Sequence, residues 1–164
     1  MTPQPNALQR FVHVFLAWRP VSWLLSKFLH HADAFLLRLS RGRHTFTGLV
    51  GLPIARLTTH GAKTGKLRSL TLVTVPDGDK LVLLATNFGQ KRNPGWYYNL
   101  KAHPDCQVSF DGRCENYVAR EAQGHEYEEY WQLAREYYAG YDRYKRRAAP
   151  RRIPVLVLEP ERSS

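Results

Sequence analysis

The sequence predicts an α+β domain on a mainly antiparallel sheet that closes toward a small barrel, with flanking helices and a helical arm in front. Two observations carry that expectation. Between residues 54 and 120, short β-branched and apolar runs alternate with turn residues, which is the pattern of successive hairpins. So many strands in about 110 residues would leave exposed edges, and closure into a barrel removes them.

The arm is expected over residues 1–45 and the domain over 46–164. Leu25, Phe28, Leu29, Ala32, Phe35, Leu36 and Leu39 recur at three- and four-residue steps, describing an amphipathic helix. Six basic residues (Arg10, Arg19, Lys27, Arg38, Arg41, Arg43) face the single acid Asp33, so the arm holds +5 of the chain's +10. Trp18, Trp23 and several Phe and Leu beside these cations suit peripheral contact of residues 10–43 with an anionic membrane surface. The alternative is that the apolar stripe packs on the domain or on a partner subunit. Arg19-Pro20 is a poor signal-cleavage site, and no stretch approaches the ~20 apolar residues that span a bilayer. The chain is therefore expected in the cytoplasm, with the inner face of the cell membrane as the place of contact.

In the domain, Ile54 to His60 reads as a strand and Gly61-Ala62-Lys63-Thr64-Gly65-Lys66 as a glycine-bounded loop. Arg68 to Val75 is the next strand, Pro76 to Asp79 a turn, and Lys80 to Thr86 its partner strand. Asn93-Pro94 opens a short helix through about Ala102, because proline suits a first helical turn. Asp105 to Phe110, Asp111-Gly112 and Arg113 to Arg120 form the strongest hairpin signal, since Asp-Gly suits a type I′ turn. That register sets Ser109 opposite Cys114 and points Cys106 to the other face, so the cysteines are not expected to pair. A helix follows from about Gly124 to Tyr138, broken near Gly140, and Ile153 to Leu158 is the last strand.

Composition bounds the function. Hydrophobic residues at 43% and charged residues at 23% are those of a globular domain. Twenty-four Lys and Arg against 14 Asp and Glu favour anionic partners, whether phosphorylated cofactors, acidic lipids or nucleic acid. Two cysteines exclude a secreted disulfide scaffold. The Gly61–Lys66 loop is not a Walker loop: three residues separate its glycines, and Leu67 stands where a magnesium-binding hydroxyl belongs. His125-Glu126 lacks the second histidine of a zinc protease, and the other His and Cys show no metal-ligand spacing. No Gly-x-Ser-x-Gly elbow is present.

Three clusters remain. Lys63, Lys66 and Arg68 gather at a glycine loop, where Gly61 and Gly65 would let backbone amides approach an anion and Arg68 could grip a phosphate. The alternative is a solvated basic hairpin tip. Thr86, Asn87, Asn93, Pro94, Trp96 and Tyr97 could wall a flat ring, or supply only caps and a core tryptophan. Six of the nine tyrosines fall between residues 127 and 144. Tyr138, Tyr141 and Tyr144 could pack a core or stack on a planar substrate. The basic run Arg143, Lys145, Arg146, Arg147, Arg151 and Arg152 reads as a solvated face. No recognition motif beside it supports nucleic-acid binding.

LTTHGAKTGKLR (57–68), NPGWYYNL (93–100), YAGYDRY (138–144) and RIPVLVLEP (152–160) occur in that order. Together they resemble the deazaflavin-dependent nitroreductase and quinone reductase family, over about residues 45 to 160. The resemblance implies a split β-barrel of the FMN-binding type. It also implies coenzyme F420, an 8-hydroxy-5-deazaflavin, as donor of a hydride to a quinone, nitroaromatic or other activated acceptor. It assigns Lys63 and Arg68 to the cofactor's phosphate and Lys66 to its glutamyl tail, with Thr64 beside them. Thr71 and Val73 would lie along the cofactor, Ala85, Thr86 and Asn87 by the ring, and Trp96 packed next to it. Tyr138, Tyr141 and Tyr144 would line the substrate pocket and, with Thr86, carry the chemistry. Departures from the family pattern are Thr86 for a serine, Ala62 for an arginine, and Asn87-Phe88 for lysine-glycine. Two alternatives stand: a split-barrel oxidoreductase using FMN, and a non-catalytic basic module binding lipid or nucleic acid. A monomer and a homodimer are equally compatible with the sequence.

Overall fold

The computed structural model describes residues 52–161; the expected arm and its membrane-facing residues 10–43 lie outside that range. Seven strands form one sheet: β1 (Ile54–His60), β2 (Leu67–Val73), β3 (Val75–Asp77), β4 (Lys80–Leu84), β5 (Asp105–Phe110), β6 (Arg113–Glu121) and β7 (Val155–Pro160). Their order is β2-β1-β5-β6-β7-β4-β3, and every pairing is antiparallel. Three α-helices accompany them, α1 (Gly95–Ala102), α2 (Gly124–Tyr137) and α3 (Tyr141–Ala148), with a short 3-10 turn at Asn87–Gly89. The α+β class and the antiparallel sheet follow the sequence expectation.

The strand expected over Arg68 to Val75 is instead two strands, because Thr74 turns inward between them. Its backbone amide donates to Pro53 O at 2.9 Å and its hydroxyl to Val82 O at 3.3 Å. This buried threonine links the two ends of the sheet order and curls the sheet into a half-barrel. The last strand runs Val155–Pro160 rather than Ile153–Leu158. The β5–β6 hairpin matches expectation: Ser109 faces Cys114, and Asp111 (φ 48°) and Gly112 (φ 76°) make the turn. Cys106 is buried, Cys114 exposed, and both are free.

Alternation along β4 and β7 divides the core. Leu81, Leu83, Leu156 and Leu158 face the barrel interior with Leu57, Val108, Cys106 and Tyr117, and Trp96 and Leu100 of α1 join them. Val82, Leu84, Val155 and Val157 face the other way, onto α2 and α3. The apolar face of α2 is Tyr127, Tyr130, Trp131 and Ala134, at helical spacing and all buried. Tyr130 Oη donates to Asp77 Oδ2 at 3.0 Å, tying α2 to β3. Arg120 of β6 grips Glu126 of α2 with two bonds of 2.7 Å and reaches Glu159 at 3.0 Å. The break at Gly140 was legible, but the eight-residue helix α3 beyond it was not.

Candidate functional site

The β1–β2 hairpin is paired without interruption up to His60 and Leu67. The loop beyond is self-contained: Gly61 N donates to Lys66 O (2.9 Å), Gly65 N to Gly61 O (2.8 Å) and Thr64 N to Gly61 O (3.2 Å). Backbone amides were expected to approach an anion at Gly61 and Gly65. Both glycine amides are spent inside the loop, so neither is turned to an anion. Gly61 has another use: a Cβ on it would meet Thr64 Oγ1 at 2.9 Å, Lys66 O at 3.2 Å and Arg68 Nε at 3.3 Å, so glycine makes room for the tight loop and, beside it, for the Arg68 side chain. Lys63, Thr64, Lys66 and Arg68 are all exposed. None of the three cations forms an ion pair among the described residues.

The loop is also anchored from outside. Asn99 of α1 accepts a bond from Ala62 N at 3.0 Å and donates to Thr59 Oγ1 at 3.1 Å. Thr59 is fully buried. Asn99 therefore fixes the hairpin tip to α1. It stands three residues beyond Trp96 on α1, the helical spacing that could have singled it out. Thr71 and Val73 lie half-buried on β2, opposite Arg56 and Ile54.

At the other end of α1 lies the loop 85–93. Ala85 is fully buried and Trp96 nearly so, while Thr86 and Asn87 are half-buried. Asn87 (φ 47°), Phe88 (φ 55°) and Gly89 (φ 79°) form three successive left-handed residues. For phenylalanine that conformation costs on the order of 1 kcal/mol or more and persists only where surroundings impose it. The surroundings are visible. Asn87 Nδ2 donates to Arg92 O at 3.0 Å. Gly89 sits against α3, where a Cβ would meet Arg147 Cβ at 2.8 Å and Tyr144 O at 3.1 Å.

Beneath the loop is Arg151, which the sequence placed in a solvated basic face. It is instead partly buried, and its guanidinium donates to the carbonyls of Ala85 (3.2 Å), Thr86 (2.9 Å) and Gln90 (2.9 and 3.1 Å) and to Asn93 Oδ1. Burial pulls its pKa below the ordinary arginine value. The partners are 58 to 66 residues away in sequence, so no local pattern marks this arginine.

Tyr138, Tyr141 and Tyr144 do come together. Ring centroids are 5.2 Å apart for Tyr138–Tyr141, 5.9 Å for Tyr138–Tyr144 and 6.4 Å for Tyr141–Tyr144. The Tyr138 and Tyr144 hydroxyls share a hydrogen bond of 3.2 Å. All three residues are buried in the α2–α3 core, and Phe88 of the left-handed turn meets Tyr144 edge-on at 6.1 Å. Burial raises the Tyr138 and Tyr141 phenols well above the usual tyrosine range, with neighbouring phenols adding to it. At neutral pH both keep their protons, so each Oη has a proton to donate.

An exposed cation cluster and the loop held by Arg151 thus lie at the two ends of α1, with a buried phenol cluster at α3. The sequence profile of the F420H(2)-dependent quinone reductase family matches residues 32–160. The chain belongs to that family. The F420H(2)-dependent quinone reductase Rv1261c of Mycobacterium tuberculosis is 38% identical over 109 residues, covering 65% of this chain and 72% of the relative. Rv3178 of the same organism is 28% identical over 109 residues, covering 66% of this chain and 91% of the relative. Among solved structures, an F420-H2 dependent reductase (FDR-A) is 38% identical with a TM-score of 0.61, covering 65% of this chain and 94% of its own. A second, described as a domain-swapped dimer, is 32% identical with a TM-score of 0.63, covering 86% and 100%. The fold is accordingly the split barrel of these reductases.

Membership makes the protein an oxidoreductase that uses coenzyme F420, and the donor set fits that group. A phosphorylated, polyanionic cofactor calls for cations without carboxylate partners, and Lys63, Lys66 and Arg68 meet that requirement. No cluster of His, Cys, Asp or Glu able to hold a metal ion exists among the described residues.

Proposed function

We propose that the chain holds reduced coenzyme F420 along α1, with the anionic groups at the β1–β2 hairpin and the ring at the 85–93 loop, and delivers reducing equivalents to a quinone or nitroaromatic acceptor under Tyr138, Tyr141 and Tyr144. The observation that supports this most is the bridging role of α1. Asn99 on α1 binds the cationic hairpin, and the loop 85–93, whose last residue Asn93 is held by Arg151, runs through Pro94 straight into the start of α1, with roughly 6 Å of helical rise from Gly95 to Asn99. One short rigid element thus sets the spacing between a polyanion grip and a ring seat.

Lys63 and Arg68 would hold the phosphate and Lys66 the glutamyl tail, with Thr64 beside them. Thr71 and Val73 of β2 would flank the cofactor, and Ala85, Thr86, Asn87 and Trp96 the ring. The bound cofactor supplies a hydride; the protein's tasks are to position the partners and to manage protons. Tyr138 and Tyr141, kept protonated by burial, hold a proton at Oη that can stabilise negative oxygen developing on an acceptor. Thr86 Oγ1 offers a further donor. The test is a fluorescence titration with oxidised F420 and, in parallel, with FMN, followed by turnover with a quinone. Tight F420 binding, weak FMN binding and a Tyr141→Phe variant with reduced turnover but unchanged affinity are expected. Preference for FMN would favour the flavin alternative, and unchanged turnover would remove Tyr141 from the chemistry.

The arm 1–45, through residues 10–43, would rest on the anionic inner face of the cell membrane, where lipid-soluble quinones reside, leaving domain 46–164 in the cytoplasm. Its +5 charge and amphipathic spacing support this. Among the described residues no helix is long and apolar enough to cross a membrane. Sedimentation with anionic and with neutral vesicles tests it; equal recovery from both would count against it. The domain-swapped relative supports a homodimer, which light scattering would distinguish from a monomer.

A further inference from the structure

Arg151 differs from Lys63, Lys66 and Arg68 of the hairpin in how its hydrogens are used. A guanidinium carries five N–H donors in a rigid plane. Here Nε donates to Gln90 O, Nη1 to Ala85 O and Asn93 Oδ1, and Nη2 to Thr86 O and Gln90 O. All five donors are engaged, and all acceptors belong to the loop 85–93. No carboxylate pairs with Arg151 among the described residues. It has no donor left for a ligand, so whatever it does is done through the loop. The acceptors bracket the left-handed residues Asn87, Phe88 and Gly89, whose conformation local preference does not supply. The same guanidinium fixes Asn93, the residue before the proline that opens α1.

We infer that Arg151 is the positioning residue of the ring seat: its guanidinium holds the carbonyls of Ala85, Thr86 and Gln90 and the side chain of Asn93, so that the turn is formed before the cofactor arrives. The inference rests on the ring placement given above. A lysine would not substitute, because one ammonium with three donors cannot reproduce a planar five-donor fork. Preforming the seat removes the ordering cost that binding would otherwise bear.

Two measurements on the full chain decide it. The first is amide hydrogen exchange of the cofactor-free protein at Thr86, Gly89 and Gln90, whose amides bond Leu84 O at the end of β4 and Thr86 O and Asn87 O within the loop. The second is binding of a deazaflavin riboside that lacks phosphate and glutamates, beside binding of complete F420 at several salt concentrations. Arg151→Ala should speed exchange at those amides and weaken the riboside roughly tenfold, while the salt dependence of F420 binding stays as in wild type. Arg151→Lys should resemble Arg151→Ala in both readouts. Unaltered exchange and riboside affinity in Arg151→Ala overturn the proposal, as does full rescue by lysine, which would make charge rather than the fork decisive. Faster exchange with unaltered riboside affinity also overturns it, since the held loop would then not seat the ring. Failure of wild type to bind F420 would overturn the functional reading and this proposal together, whereas wild-type binding with an indifferent variant defeats the proposal alone. If Arg151→Ala does not fold, Asn93→Ala removes one acceptor and is read by the same two measurements.

Discussion

The β1–β2 hairpin and the loop 85–93 both depend on arginine, and they use it in opposite ways. Arg68 stands on an exposed tip, over a glycine that gives it room, without an ion-pair partner among the described residues. Arg151 lies beneath its loop with every donor engaged by the protein. The first arrangement leaves charge available to a ligand and contributes little to the fold. The second commits the side chain to geometry and presents backbone, not charge, to the site. Position in a basic run therefore says little about an arginine's role; what its hydrogens touch says more.

The contrast yields measurable differences. The largest effect is expected on the buried face of α2: Trp131, stacked on Tyr127 at 6.0 Å and covered by Lys145 at 4.6 Å, should cost about 3–5 kcal/mol of stability as Trp131→Ala in a denaturant titration. A loss under 1 kcal/mol would mean that face is not a packed core. Next, Lys63→Ala with Arg68→Ala should weaken F420 on the order of 100-fold and flatten its salt dependence, with the unfolding midpoint nearly unchanged. If that pair lowers stability as much as the tryptophan change does, the open-tip description of the hairpin fails. Gly89→Ala should come third. Its φ of 79° and the approach of Arg147 and Tyr144 predict a cost of about 1–3 kcal/mol, read by thermal unfolding.

The smallest effect near neutrality concerns pH. Burial raises the Cys106 thiol from 9.0 to about 12, and burial with the Asp77 hydrogen bond raises the Tyr130 phenol from 10.0 to about 12. Both groups are native in the protonated form. Below their ordinary values they leave stability intact; as pH climbs from about 9 toward 12 the unfolded chain sheds these protons first, and native stability declines. Denaturant midpoints that stay level from pH 8 to 11 would contradict the burial of these groups.

Much of the fold was legible, because it is written locally. Asp111-Gly112 sets the β5–β6 register through two residues of positive φ, and that register alone separates Cys106 from Cys114. The cations of the hairpin loop were likewise visible as a cluster between glycines. The interruption at Thr74 was not, since a threonine in a β-branched run looks like strand until its partners Pro53 and Val82 are known. Nor was the use of the glycine amides, which the loop consumes itself.

By itself, the sequence determined the alternation that makes strands, the turns that join them, the charge of the hairpin tip and the aromatic density of residues 127–144. These depend on neighbours within a few positions. Only tertiary structure decided that Arg151 reaches back some sixty residues to carbonyls of another loop, that Asn99 ties the hairpin to α1, and that three tyrosines share one buried place. Carbonyls carry no side-chain identity, so a residue that recognises backbone leaves no pattern in its partners' letters. Contacts of that kind exist only once the chain has closed on itself.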